Sequence, residues 1–141
     1  ALVIANGGGA DLEGCVCGDD CWGVIDLLIS ENGSDGAIPD LVRRILDDGA
    51  YVAWVGYMRP MEDADEYADC GGEVDLLRER LQRLDESEDG MVFVDGALIG
   101  TGVEEDLYDP DGYHPSPEGC AALGEEVAQR VDGAFGLSVL G

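Results

Sequence analysis

The chain contains no lysine. Its seven basic residues, all arginine, stand against 32 acidic ones and give a formal net charge of −25 over 141 residues. Such a surface repels nucleic acid and anionic membranes, and both are excluded as partners. The acids are spread through segments with clear apolar periodicity instead of forming one tail, so they read as a solvated surface and not as disorder. A salt-rich habitat and a plain compositional bias both account for them. No run of about 18 apolar residues is present, which excludes a spanning helix. The opening "ALVIANGGGADL" lacks the charged start and cleavage site of a signal peptide, and it lacks Met. Opening directly on an apolar run is what a segment from inside a longer protein would show.

Several motifs are also missing. No window satisfies the twelve-residue calcium loop, no lysine follows "NGGG" to make a phosphate loop, and the Cys-x2-Cys spacing usual for structural zinc is absent. Internal repeats and low-complexity segments are lacking as well. The five cysteines, Cys15, Cys17, Cys21, Cys70 and Cys120, are an odd number, so at least one is free or pairs elsewhere. Disulfides that staple a loop, free thiols, and a zinc site of Cys15, Cys17 and Cys21 completed by Cys70 all remain open. Oxidised pairs would imply a periplasmic or secreted protein.

What is present alternates between two kinds of segment. "ALVIA" (1–5) is a continuous apolar run that ends in a Gly-rich turn, as a buried parallel strand does. A cysteine-rich loop follows. "DDCWGVIDLLIS" (19–30) carries Trp22, Ile25, Leu28 and Ile29 at helical spacing, and a second helix starts near Pro39 with Leu41, Val42, Ile45 and Leu46 on one face. "AYVAWVGY" (50–57) and "MVFVD" (91–95) read as strands. Between them Val74, Leu77, Leu81 and Leu84 mark an amphipathic helix. A last helix has Ser116 as N-cap, Pro117 as first residue, and Cys120, Leu123, Val127, Val131 and Ala134 facing inward. Trp22 and Trp54 are expected in the core. The alternation predicts one α/β domain with a parallel sheet and helices on its faces. Function then belongs at the carboxyl ends of the strands, which places "NGGGAD" and "DPDGYH" on one rim.

The only histidine lies in "YDPDGYHPSPEG" (108–119). An Asp three residues before a His, in a turn held by Gly112 and Pro115, can set its carboxylate on one ring nitrogen and leave the other free. Asp111 would then fix the tautomer of His114 and stabilise its imidazolium, the orienting half of a nucleophile-base-acid triad. A loop histidine in an acidic protein is the plainer alternative. None of the five serines, Ser30, Ser34, Ser87, Ser116 and Ser138, looks like a nucleophile. Ser116 is explained as a cap, and Ser34 sits in a turn without a strand leading into it.

Taken together, "NGGGADL" after the first strand and "DGYHPSPEG" before the last helix resemble the third and last blocks of the SGNH/GDSL hydrolase family. The likeness runs from Ala1 to about Val131 and includes "CVCGDDC", "GAIPDLVRRI" and "VGYMRP". It implies a three-layer α/β/α sandwich of flavodoxin-like order, without its first two strands, so that "ALVIA" becomes a bare apolar edge open to pairing. The activity implied is hydrolysis of acyl or acetyl esters, including carbohydrate esters, without a cofactor or metal. By the same likeness His114 is the base, Asp111 the acid, the amides near Gly8 and Gly9 border the oxyanion site, and Asp11 holds the turn. Ala10 stands where the family has its oxyanion-hole Asn. The Gly-Asp-Ser nucleophile block is absent from residues 1–141, so the serine is expected from an N-terminal segment of the same protein. A rival placement puts Asn32 of "ENGSDG" at the oxyanion position. Ala10 also motivates a second reading, a non-catalytic carbohydrate- or partner-binding module.

Overall fold

A computed structural model describes residues 1–13, 15, 17, 21–64 and 67–138. The strands are β1 (Leu2–Ala5), β2 (Tyr51–Val55) and β3 (Met91–Val94), and the helices are α1 (Gly9–Glu13), α2 (Cys21–Leu28), α3 (Ala37–Asp47), α4 (Gly71–Ser87) and α5 (Pro117–Phe135). The strands form a parallel sheet in the order β1-β2-β3, with Leu2 opposite Tyr51 and Val52 opposite Met91.

Strand alternation divides the interior into two cores. Val52, Trp54, Met91 and Phe93 face one side, where they meet Ile25 and Ile29, Val42, and Leu77, Leu81 and Leu84 of α4. Ala53, Val92 and Val94 face the other side and meet Val127 and Val131 of α5. Helices therefore cover both faces of β2 and β3. At β1 the cover stops. Among the described residues β1 pairs only with β2, and Ile4, which points to the same face as Ala53, is 57 % exposed. The strand is an apolar edge among the described residues, and with Leu2, Val3 and Ala5 half-buried it falls short of the buried strand that its apolar run predicts.

Three sequence expectations need correction. Trp22 is 59 % exposed, because the buried stripe of α2 runs through Cys21 and Ile25 toward Ile29 just past the helix end, four residues apart, and Trp22 lies one step off it. Trp54, by contrast, is 2 % exposed in the core as expected. On α5, Cys120 and Ala134 face solvent, and Gly119 and Ala128 take inward positions. "GGAD" is not a plain loop but opens α1 at Gly9. The start of the first predicted helix, at Asp19 and Asp20, lies outside the described residues.

The cysteines form two disulfides, Cys15–Cys21 and Cys17–Cys70, with Cα separations of 5.4 and 5.0 Å, and leave Cys120 free and exposed. This pairing takes up all four cysteines of the alternative zinc set. The Cys17–Cys70 bridge closes a sequence separation of 53 residues onto the start of α4. By the chain-entropy relation such a loop contributes about 4 kcal/mol. Replacing Cys17 and Cys70 together by Ser is expected to lower the unfolding free energy in urea by about that amount; an unchanged midpoint would contradict it. No helix among the described residues is long and apolar enough to cross a membrane.

Candidate active site

The segment from Asp106 to Gly119 is fastened at several points before any side chain reaches the site. Tyr108 and Pro115 form an antiparallel bridge. The amide of Asp109 donates to His114 O at 2.9 Å, that of Gly112 to Asp109 O at 2.9 Å, and that of Met61 to Gly112 O at 2.9 Å. Gly112 has φ +69°, a left-handed conformation that favours glycine at this turn. Buried Tyr108 donates from its hydroxyl to Arg59 O at 2.6 Å and accepts from Gly102 N at 3.0 Å, so the segment is tied to the loop after β2.

Ser116 completes the anchoring. Its Oγ accepts from Gly119 N at 3.1 Å as the N-cap of α5 and donates to Asp106 O at 2.6 Å. Ser116→Ala removes both bonds at a buried position and is expected to destabilise the chain by about 1–2 kcal/mol. Thermal unfolding checks this. An unchanged melting temperature would show that the cap does not hold the segment.

On this frame Asp111 makes three hydrogen bonds. Its Oδ1 accepts from the amides of Tyr113 and His114, each at 2.9 Å, and its Oδ2 lies 2.6 Å from His114 Nδ1. The His114 ring and then the two amides hold the Asp111 carboxyl down at about 2. With Nδ1 engaged, Nε2 on the opposite side of the ring is the free nitrogen. The ring is 64 % exposed and stands edge-on to Tyr113, with centroids 4.7 Å apart.

His114 borders a cavity of about 570 Å³ at the carboxyl ends of β1 and β2, together with Gly9, Ala10, Asn6, Tyr57 and Tyr113. The two sequence-distant motifs therefore meet on one rim. Gly8 and Asp11 are not part of the cavity wall. Gly8, at φ +101°, turns toward Leu28, and a Cβ there would lie 3.4 Å from its Cδ1. Asp11 is exposed in α1. The turn is held by other groups: Leu12 N donates to Gly8 O at 3.2 Å, and Gly9 N donates to Tyr57 Oη at 2.8 Å.

Four wall residues have no role in the sequence reading, although Asn6, Tyr57 and Tyr113 lie within "NGGGADL", "VGYMRP" and "DGYHPSPEG". Asn6 follows β1 and donates from Nδ2 to Val55 O at 2.7 Å, linking the ends of the two strands. Tyr57 lies two residues past β2, where the rule of strand carboxyl ends could have singled it out. Tyr67 and Tyr113 stack with centroids 4.0 Å apart and form an aromatic wall.

The rival position Asn32 is not on the His114 cavity but lines a separate one with Ser30, Glu31, Asp35 and Arg83. Its Oδ1 accepts from Ser30 Oγ at 2.8 Å, Ser34 Oγ at 2.7 Å and Ser34 N at 3.0 Å, which closes the 30–35 turn. Ser30 and Ser34 are thereby engaged as well, and Ser87 Oγ donates to Leu84 O at 3.0 Å. Among the described residues no group of three or more His, Cys, Asp or Glu is placed to hold a metal ion.

The geometry defines an oriented imidazole on the rim of a parallel α/β sheet. Comparison with protein-family models, with curated proteins and with solved structures finds no match to the chain.

Proposed function

We propose that residues 1–141 form the base-and-acid part of a serine ester hydrolase of the SGNH/GDSL type. The observation that carries this reading is the 2.6 Å contact between Asp111 Oδ2 and His114 Nδ1, with the ring on the cavity that also holds Gly9 and Ala10. In this mechanism His114 Nε2 takes the proton of a serine hydroxyl as the oxygen attacks an ester carbonyl, and then returns it to the leaving alcohol. Asp111 stays ionised and stabilises the imidazolium. The serine is supplied by a segment of the same protein outside residues 1–141, for which the unpaired edge of β1 and the exposed Ile4 provide the place to add. An acyl or acetyl ester of a small molecule or carbohydrate is the substrate, and export to an oxidising compartment fits the two disulfides.

A second reading is a non-catalytic carbohydrate-binding module. It is favoured by Ala10, whose methyl group donates no hydrogen bond, and by the Tyr67–Tyr113 stack on the cavity wall. One experiment separates the two: p-nitrophenyl acetate turnover by the full-length gene product, measured beside residues 1–141 alone. Turnover by the full-length protein and none by the shorter chain is expected. Absence of turnover in both, with saturable binding of an oligosaccharide, would support the binding module.

A further inference from the structure

Resting on the hydrolase reading, we propose that the Tyr57 hydroxyl is the side-chain donor of the oxyanion hole, in the role that Ala10 cannot fill. Tyr57 and Ala10 line the same cavity as His114, and so do Tyr67 and Tyr113, whose rings stack on each other. The phenol oxygen already accepts from Gly9 N at 2.8 Å. Its single proton is therefore directed away from that amide, and no acceptor for it is found among the described residues. A hydroxyl that accepts one hydrogen bond becomes a better donor of its own, through mutual polarisation.

The amide of Gly9 thus does not face the oxyanion site directly. It is used on Tyr57, which relays it. This also explains the glycine at position 9, because a Cβ there would lie 2.7 Å from Tyr57 Oη and push the ring out. Burial raises the Tyr57 phenol above its ordinary range, outweighing the Gly9 amide that lowers it, and the Asp11 charge raises it further. The group stays protonated, as a donor must. Asn6 is the other amide on the wall; one of its two Nδ2 protons goes to Val55 O, and the Asn6→Ala variant below reads what the second one does.

The test uses the full-length protein with p-nitrophenyl acetate. Tyr57→Phe should lower kcat by about 10²- to 10³-fold, the loss of one oxyanion donor, with KM nearly unchanged. Adding Ala10→Asn to that variant should recover most of the loss, which a merely structural tyrosine would not allow. The proposal is overturned if a folded Tyr57→Phe keeps full kcat, or if Asn6→Ala shows the large loss instead. If His114→Ala is inactive while Tyr57→Phe is not, only the tyrosine assignment falls. If the unaltered full-length protein has no turnover, the hydrolase reading falls and takes this assignment with it.

Discussion

His114→Ala in the full-length protein is expected to lower kcat/KM for p-nitrophenyl acetate by about 10⁴- to 10⁶-fold, the range found when the base of a nucleophile-base-acid unit is removed. The size follows from the absence of a substitute. His114 is the only imidazole in the chain. No lysine is present to act as a base, and the described carboxylates near the ring are already engaged or solvated. The substitution sits on an exposed loop whose fastening comes from Tyr108, Gly112 and Ser116, so the variant should still fold, with a small loss of stability from the missing Asp111–His114 bond. Retained turnover in a folded variant would remove the histidine from the mechanism.

Asp111→Asn should cost about 10⁴-fold in kcat, because an amide in place of the carboxylate selects the wrong imidazole tautomer and cannot stabilise the imidazolium. The pH dependence gives a second readout. The Asp111 carboxyl is depressed to about 2 from an ordinary value of 3.8, by the His114 hydrogen bond first and by the two backbone amides next. A depressed carboxyl contributes stability that is fully present above its unfolded value and is lost as pH falls through its folded one. The turn is therefore expected to hold through mildly acidic solution and to loosen between about pH 4 and pH 2. Across the pH range in which an imidazole titrates, Asp111 remains ionised. Asp111 therefore adds no limb to the kcat/KM profile above about pH 4, and a limb there that disappears in Asp111→Asn would contradict the pairing.

Much of the fold could be read from periodicity. Val74, Leu77, Leu81 and Leu84 set the buried face of α4, and the unbroken apolar runs of β2 and β3 reflect a sheet covered on both sides. Phase on the shorter helix was less legible. Eight residues of α2 offer several apolar stripes, and burial through Cys21 and Ile25 left Trp22 outside. Helix α1 escaped notice because "GGGAD" has little helical propensity of its own, and its start is fixed by the Tyr57 hydroxyl 48 residues away. The site divides in the same manner. Asp111 and His114 are three residues apart, so local turn chemistry brings them together. Asn6, Tyr57 and Tyr67 join them only through strand order and the loop after β2, which no local pattern encodes.

A serine-directed fluorophosphonate, mapped by peptide mass spectrometry on the full-length protein, tests most directly whether His114 works as a base beside a serine. One phosphonylated serine outside residues 1–141, absent from the His114→Ala variant, is the expected result. An adduct that persists without His114, or none on the unaltered protein, would contradict it.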